Sequence, residues 1–343
     1  MRYAYVGCQT TKERNARGEG LKTYEIQPDG SWKCLQCLET EPNPSFQTLD
    51  GEGKYLYSVH GDITKVSSYR ILKDHTLEHI NTIDIGGRNP VDITVDRNNK
   101  HVIVATLQGG TIYTIDRKND GSLGEVIAEF TYEGKESTIH QCLWDKKKNF
   151  LFACAQSRVN GYGQMRALRY DHETGQFTQT AQFLSRTWDE PRHAAMHPNN
   201  LWVYMCEEKG NKVLFFRFDD ENGTFEALQE LTTVPETVTG YSDASEVMVD
   251  PSGKFVLVSN RYTDSIAVYR IDPLTGYMRN VGFYPCLGKT PRFFCFGDNG
   301  KCYVANEDSD TIIEFDFDNM TGALIPTLNI VHTGSPVCIL FAD

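Results

Sequence analysis

The chain alternates short apolar runs with polar turns, and one version of this pattern occurs six times. Each copy holds two apolar runs of strand length on either side of a turn rich in Gly, Asn, Asp or Pro, as in NPVDITVDRNNKHVIVAT. Apolar runs flanking a tight turn predict a β-hairpin. The copies occupy residues 43–59, 89–106, 137–155, 190–208, 243–261 and 290–308.

The spacing of the copies predicts how they are arranged. An equivalent position recurs at intervals of about 45 to 53 residues, a period typical of propeller blades and solenoid turns. Self-alignment puts Phe46, Asp92, His140, His193, Glu246, Phe293 and Cys338 at this position. Two further segments with period-two alternation follow each hairpin, so each unit has four antiparallel strands. Four strands per unit is the make-up of a propeller blade.

The two ends of the chain complement each other. Residues 20–39 form a hairpin of third-strand and fourth-strand type with only one strand, RYAYVG, before it, whereas SPVCILFAD has the pattern of a first strand. One composite blade added to the six internal copies predicts an all-β, seven-bladed β-propeller. Strands from both termini would share a blade and close the ring, which removes open sheet edges. We expect a single domain over residues 1–343.

Charge and hydropathy limit the possible partners. The chain has 34 Lys and Arg against 46 Asp and Glu, for a formal net charge of -12, which disfavours nucleic acid and anionic membranes. The N-terminus lacks the pattern of a secretory signal, and no apolar run reaches the length of a membrane span. We expect a cytoplasmic protein, monomeric or weakly homo-oligomeric, that binds any anionic substrate through local arginines.

The ten cysteines predict neither disulfides nor a metal centre. Cys34 and Cys37 form a CxxC pair, but no second pair and no His pair at zinc-site spacing accompanies them. Six others lie in apolar, strand-like stretches, where cysteine packs as a small hydrophobic residue. These are Cys142, Cys154, Cys206, Cys295, Cys302 and Cys338. We expect reduced thiols, no bound metal and no cofactor.

Hairpin geometry predicts that charged residues from several blades share one site. Residues equidistant from a turn lie side by side at the same end of a hairpin. Counting outward from the turns pairs Arg192 with Glu208, Glu246 with Arg261, His140 with Gln156, and Asp92 with Leu107. Because the first strand of each blade lines the channel of a propeller, these ends are expected to meet at one mouth. The predicted cluster contains Asp92, His140, Arg192, His193, Glu208, Glu246, Arg261 and Arg292.

The residue types in this cluster indicate chemistry. Polar residues at strand ends are usually just solvated, so no single member carries the argument. Together, however, imidazole, carboxylate and guanidinium groups in one concave mouth supply a general acid, a general base and anion stabilisation. That set is sufficient for acyl-transfer or proton-transfer reactions.

The sequence resembles the lactonase family of seven-bladed propellers, which includes propeller-type 6-phosphogluconolactonases and fungal 3-carboxy-cis,cis-muconate lactonizing enzymes. The resemblance spans nearly the whole chain. The motifs that carry it are YVGCQT, NPSFQTLD, IHQCLWD, PRHAAMHPNN, VYMCEEKGNKV, ASEVMVDPSGKFVLVSNRYTDSIAVYRID, TPRFFCF, YVANEDSDTI and GSPVCI. By motif, similarity to the muconate branch implies that the active-site residues are His140, Arg192, Glu208 and Arg261.

The main hypothesis is hydrolysis of a sugar-acid lactone, 6-phosphogluconolactone or a related aldonolactone, by metal-independent acid–base catalysis. Glu208 is assigned as the general base on water and His140 as the proton donor or relay to the leaving oxygen. Arg192 and Arg261 are assigned to the oxyanion and to an anionic substituent. The substrate-binding assignments are His193, Glu246, Arg292 and Asp92.

Several alternatives stay open. The segment CQTTKERNARGEG carries Lys12, Arg14 and Arg17, which either reach a substrate phosphate or belong to a solvated loop. A cycloisomerase that opens or closes a muconolactone by proton transfer would use the same arginines, and no residue separates it from a hydrolase. A non-catalytic propeller that binds a protein would present an apolar or one-signed patch instead of a convergent acid, base and arginine set.

Overall fold

The computed structural model describes residues 2–132 and 138–343. Its regular secondary structure consists almost entirely of seven antiparallel sheets of four strands each. The helices among the described residues are two single 3-10 turns, Lys12–Arg14 and Glu307–Ser309. Neither is long or apolar enough to cross a membrane. The predicted all-β, seven-bladed β-propeller is confirmed.

Both termini build one blade, which we number seven. Its strands, from the axis outward, are β28 (Pro336–Ala342), β1 (Tyr3–Cys8), β2 (Leu21–Ile26) and β3 (Trp32–Leu38). β28 and β1 pair antiparallel, with Tyr3 opposite Ala342 and Val6 opposite Ile339. The predicted closure of the ring by one strand from the C-terminal end is therefore confirmed.

The six internal blades follow in chain order, and each adds its strands from the axis outward. Blade one consists of β4 (Pro44–Leu49), β5 (Tyr55–His60), β6 (Lys65–Ile71) and β7 (Leu77–Asp84). Blade two consists of β8 (Arg88–Val95), β9 (His101–Gln108), β10 (Thr111–Arg117) and β11 (Leu123–Thr131). Blade three consists of β12 (Ile139–Trp144), β13 (Phe150–Ala155), β14 (Gln164–Tyr170) and β15 (Phe177–Leu184).

The remaining internal blades repeat this order. Blade four consists of β16 (Pro191–Met196), β17 (Trp202–Glu207), β18 (Lys212–Asp219) and β19 (Thr224–Thr232). Blade five consists of β20 (Asp243–Val249), β21 (Phe255–Arg261), β22 (Ser265–Ile271) and β23 (Met278–Pro285). Blade six consists of β24 (Pro291–Phe296), β25 (Lys301–Asn306), β26 (Thr311–Phe317) and β27 (Leu324–His332). The first strands of neighbouring blades contact one another around the ring, so they line the axis.

An aspartate organises the inner turn in four of the blades. In blade three, Oδ1 of Asp145 accepts hydrogen bonds from the backbone N–H groups of Asn149 at 2.6 Å and Phe150 at 2.8 Å. The equivalent carboxylates belong to Asp50, Asp96 and Asp250. These bonds satisfy turn N–H groups and hold the turn in place. These bonds therefore fix the register of the inner hairpin at its turn.

Aromatic side chains fill the space between blades. Between blades four and five, Tyr204, Phe215 and Tyr269 are fully buried. The hydroxyl of Tyr204 donates a hydrogen bond of 2.8 Å to the carbonyl of Gly276. Gly276 has a φ of 80°, and a Cβ there would lie 2.5 Å from the ring of Phe215, so glycine is required. This packing holds neighbouring blades in one relative position.

The cysteines lie where the sequence predicts. All ten are free thiols, and the six expected in apolar strands are buried. Cys34 and Cys37 are exposed on β3.

His60, at the end of β5, is a buried histidine whose pKa links the stability of the fold to pH. Its ring is fully buried, with Nε2 2.8 Å from Oγ of Ser67 and Nδ1 3.1 Å from the carbonyl oxygen of Glu41. Burial lowers its pKa to about 4. Below pH 6.5 the unfolded chain therefore binds a proton that the folded protein does not, so stability falls as the pH falls.

We expect the wild type to lose about 2 kcal/mol more unfolding free energy than His60→Gln between pH 7 and pH 5. Urea denaturation at each pH measures the difference, since all other titrating groups are common to both proteins. Parallel pH profiles for the two proteins would contradict the assignment.

Candidate active site

The inner hairpin of every blade has a break in its register near the start of the first strand. At this point the first strand holds one residue more than its partner, which is the signature of a β-bulge. The residues at the seven breaks are Ser45, Val91, His140, Arg192, Ser245 with Glu246, Arg292 and Val337. A bulge changes the direction of a side chain. One residue from each of the seven breaks lines the same cavity.

The observed register differs from the predicted pairings. Arg261 lies opposite Asp243, whereas the N–H of Glu246 donates to Oγ of Ser259, so the predicted pairing of Glu246 with Arg261 is wrong. Asp92 likewise lies opposite Ala105 and not opposite Leu107. For Asp92 and Glu246 the predicted partner lies two positions too far along the second strand, because the count is not centred on the turn. The extra residue shifts only the pairs beyond it, such as Asp243 with Arg261.

His140 and Arg192 are themselves the extra residues of the bulges in blades three and four. Both stand within a bulge and have no directly opposite partner, so the pairings with Gln156 and Glu208 are also wrong as strand pairings. Self-alignment predicts that His140 is equivalent to Asp92 and His193. This prediction is wrong, because Gln141 takes the equivalent position in blade three. The bulge nevertheless brings His140 to the cavity, one residue away from the alignment column.

The cavity lies on the axis, where the first strands begin. Its volume is about 40 Å³ where the walls enclose it and about 450 Å³ when the part that opens to solvent is included. Its lining residues are Gln9, Arg14, Ser45, Phe46, Gly61, Asn89, Val91, His140, Arg192, His193, Glu246, Arg292, Phe293 and Val337. Five of the predicted site residues are therefore brought together: His140, Arg192, His193, Glu246 and Arg292. Glu208, Arg261 and Asp92 do not line it.

Three buried side chains form a hydrogen-bonded chain in the cavity wall. Oε1 of Glu246 lies 2.9 Å from Nδ1 of His193, and Nε2 of His193 lies 3.0 Å from Nδ1 of His140. The three residues are 2%, 4% and 5% exposed. The chain crosses from blade five through blade four to blade three and ends on His140.

The hydrogen-bond pattern assigns the protons of this chain. A carboxylate only accepts, so Nδ1 of His193 carries the proton shared with Glu246 and its Nε2 is an acceptor. His140 must then donate from Nδ1, which leaves a lone pair on Nε2. Among the described residues, none forms a hydrogen bond to this Nε2. Burial lowers the pKa of His140 well below its usual value, and Arg192 lowers it further, so the ring is neutral at pH 7.

Glu208 lies beside the cavity, surrounded by positive charge. Its carboxylate is 2.8 Å from Nη2 of Arg261, 3.2 Å from Nη2 of Arg158 and 3.4 Å from Nε of Arg192, and it accepts a hydrogen bond from the amide of Gln156. Burial by itself would raise the pKa of Glu208, but the three guanidinium groups hold it well below its usual value. Glu208 is thus a weak base that holds the arginines in place.

The arginines of this cluster face different surroundings. Nη1 of Arg192 donates to the carbonyl of Ser245 at 2.6 Å, while Nη2 has no hydrogen-bond partner among the described residues. Burial and the nearby Arg261 lower the pKa of Arg192 to about 9, and the guanidinium stays charged at neutral pH. Arg261 lies between Glu208 and Asp243, at 2.8 and 3.7 Å. Only Arg192 reaches the cavity from this pair.

Asp92 serves as a contact between blades. Its Oδ2 accepts a hydrogen bond of 2.6 Å from the backbone N–H of Cys142, and burial raises its pKa to about 7. Gln141 repeats the arrangement one blade further on, accepting from the N–H of Ala194 at 2.6 Å. Both residues line a second stretch of the channel, together with Leu340.

The three cationic side chains of the segment between β1 and β2 have different surroundings. Arg14 lines the cavity, whereas Lys12 is exposed and Arg17 is bound to Asp310 at 2.7 Å. Over residues 2–132 and 138–343, no group of three or more His, Cys, Asp or Glu side chains is arranged to hold a metal ion. Metal independence of the reaction stays a prediction.

Sequence reasoning missed several residues near the site. Gln9, Ser45 and Asn89 line the cavity, and Arg158 contacts Glu208 from the loop after β13. The repeat could have predicted Ser45, because Ser45 occupies the repeat position that holds Arg192 and Arg292 in other blades. Arg158 and Gln9 lie outside the repeat and carried no such signal.

The position of Glu208 generates a prediction about stability. Glu208→Gln removes the nearest counter-charge of two buried guanidinium groups, Arg192 and Arg261, and we expect the free energy of unfolding to fall by about 3 to 5 kcal/mol. Glu226→Gln is the matched control, because the Arg217–Glu226 pair is exposed and its loss is expected to change stability by less than about 0.5 kcal/mol. Urea denaturation measures both. Equal effects of the two substitutions would contradict the role of Glu208 in holding the arginines.

The chain is similar in sequence, over most of its length, to proteins named 6-phosphogluconolactonase. The chain is 27% identical to a 6-phosphogluconolactonase of Bacillus subtilis over 355 aligned residues, which cover 98% of this chain and 97% of that protein. It is also 27% identical to a 6-phosphogluconolactonase of Formosa agariphila, with 93% and 94% of the two chains covered. The similarity thus extends over nearly the complete length of both relatives.

Solved structures share the fold. A periplasmic gluconolactonase of Pseudomonas aeruginosa superposes with a TM-score of 0.90 at 23% identity, covering 100% of this chain and 99% of that one. A protein from Lactobacillus plantarum superposes with a TM-score of 0.89 at 20% identity and the same coverage. At these identities the likeness concerns the fold alone.

A family model also matches the chain. The model described as "Lactonase, 7-bladed beta-propeller" matches residues 3–341, which is nearly the complete chain. The chain belongs to the lactonase family of seven-bladed β-propellers.

Proposed function

We propose that this protein hydrolyses a sugar-acid lactone, with 6-phosphogluconolactone as the leading candidate. The observation that carries the proposal is the Glu246–His193–His140 chain, which ends at a cavity lined by arginines. The names of the full-length relatives from Bacillus subtilis and Formosa agariphila support the same reaction. A carboxylate, a neutral imidazole and a guanidinium in one cavity suit ester hydrolysis.

We assign the general base to His140 in place of Glu208. The lone pair on Nε2 of His140 has no partner among the described residues, whereas both oxygens of Glu208 are engaged by arginines. His140 would take a proton from water as the water oxygen attacks the lactone carbonyl carbon. The resulting imidazolium is stabilised through His193 by the negative charge of Glu246.

Arg192 stabilises the charge that develops on the former carbonyl oxygen. Its Nη2 is free to donate, and its position is held by Ser245 and Glu208. A donor held in place before the reaction loses no free energy to reorganisation in the transition state. The tetrahedral intermediate then collapses: the bond between the carbonyl carbon and the ring oxygen breaks, and His140 returns its proton to that oxygen. The product is the open-chain sugar acid, and His140 is again neutral.

The reaction class is tested by substrate. Purified protein is incubated separately with 6-phosphogluconolactone, unphosphorylated aldonolactones and 3-carboxy-cis,cis-muconate, and consumption is followed by NMR. We expect water addition to a sugar lactone. Formation of an isomer without water addition would establish a cycloisomerase instead, and no turnover of any compound would favour a binding propeller.

Substitution of the base is expected to remove turnover. We expect His140→Gln to lower kcat/KM for the lactone by about 100- to 10,000-fold, because general-base catalysis is lost while the shape of the side chain is largely kept. His79→Gln, on an exposed ring of β7, is the control and is expected to have no effect. Circular dichroism and Tm check the folding of each variant. Activity of His140→Gln close to that of the wild type would refute the assignment.

The pH profile tests the positioning role of Glu246. Burial lowers the pKa of both histidines, so the wild-type kcat/KM is expected to stay level down through pH 6.5 and to fall only below it. Glu246 raises the pKa of His193 against the effect of burial. Glu246→Gln is therefore expected to lower kcat by about 100-fold or more and to move the acid limb to lower pH. An unchanged acid limb would mean that Glu246 plays only a structural part.

A further inference from the structure

Arg14 enters the cavity from outside the seven bulged strands. It ends the 3-10 turn Lys12–Arg14 between β1 and β2, and its side chain is 30% exposed. Together with Arg292 it lines a part of the cavity that also includes Gln9 and Asn89. The proposed reaction at His140 and Arg192 makes no use of it.

The guanidinium of Arg14 is held along one edge and free along the other. Nε lies 2.7 Å from Oδ2 of Asp62 and Nη2 lies 2.5 Å from Oδ1, which is a bidentate pair. Nη1 has no hydrogen-bond partner among the described residues. Two parallel bonds fix the plane of the guanidinium as well as its position. A ligand that approaches the free edge would therefore meet a donor that is already oriented.

A buried asparagine supports this pair. Asn43 is completely buried, and its Nδ2 donates to Oδ2 of Asp62 at 2.9 Å. Its Oδ1 accepts from the backbone N–H groups of Thr10 at 2.8 Å and Thr11 at 3.2 Å. One amide thus links the segment that carries Arg14 to the carboxylate that orients it. The arrangement holds Arg14 at the cavity when no ligand is bound.

Arg292 presents a second cation to the same space. Nη1 of Arg292 lies 3.3 Å from Glu307, and no described residue bonds its Nη2. Burial lowers the pKa of Arg292, and the charges of Arg261 and Arg14 lower it further. Two guanidinium groups that repel each other across a cavity are stabilised when an anion binds between them.

We propose that Arg14 and Arg292 form a second anion-binding subsite, separate from the oxyanion donor Arg192, and that it takes the phosphate of a phosphorylated sugar lactone. The inference rests on the proposed lactonase activity and deepens it. Arginine forks match phosphate oxygens, and a phosphate monoester carries more charge than a carboxylate. Arg14 would then determine specificity for phosphorylated over neutral lactones.

The test compares two substrates in three proteins. kcat/KM is measured for 6-phosphogluconolactone and for unphosphorylated gluconolactone with the wild type, Arg14→Gln and Arg17→Gln. Arg17 is the matched control, because it lies on the same segment, is paired with Asp310 and does not line the cavity. We expect the ratio of the two kcat/KM values, phosphorylated over neutral, to fall at least about 10-fold in Arg14→Gln and to stay within about 2-fold in Arg17→Gln.

The outcomes separate the inference from the proposed function. A ratio in Arg14→Gln equal to that of the wild type, or a wild type with no preference for the phosphorylated lactone, overturns the inference and leaves the lactonase in place. If the wild type hydrolyses neither lactone, the proposed function fails, and calorimetric binding of 6-phosphogluconate and gluconate decides the subsite. Tighter binding of 6-phosphogluconate that Arg14→Gln abolishes supports the subsite, and equal binding overturns it. Should Arg14→Gln fail to fold, Arg14→Ala combined with Asp62→Ala is measured in the same way.

Discussion

The bulge in the first strand of each blade is the constraint on which the cavity depends. A regular strand sends alternate side chains to opposite faces of its sheet, where they pack between blades. One extra residue interrupts this alternation at the same height in all seven blades and turns a side chain toward the axis. His140, Arg192 and Arg292 owe their position to it. The bulges of blades one, two and seven contribute the small or apolar residues Ser45, Val91 and Val337, which leave space for a ligand on that side.

Two buried glutamates of neighbouring blades differ in role because their surroundings differ. Glu208 forms ion pairs with Arg158, Arg192 and Arg261, so its negative charge holds these guanidinium groups in place. Glu246 contacts an imidazole, and that imidazole passes the interaction on to His140. The positive neighbours of Glu208 make its carboxylate a weak base. Glu246, acting through His193, makes the ring of His140 a stronger base.

How far the site could be predicted differs from residue to residue. Gathering charged residues from several blades at one mouth required only the repeat and the hairpin pattern, and five of the eight predicted residues line the cavity. Which of them touch could not be counted from the turns, since Arg261 lies opposite Asp243 and the N–H of Glu246 bonds Ser259. Arg14 lies outside the repeat, and its direction depends on Asp62 and Asn43 from another blade.

The sequence by itself determined the seven four-stranded blades, the closure of the ring by both ends of the chain and the burial of six cysteines. Each of these follows from local alternation, turn residues and a repeat period, which are properties of neighbouring residues. The tertiary structure alone decided which carboxylate faces arginines and which faces histidine, and which arginines reach the cavity. Those outcomes depend on distances and burial between side chains of different strands, most of them in different blades, and on bulges that leave no mark in the alternation of hydrophobic residues.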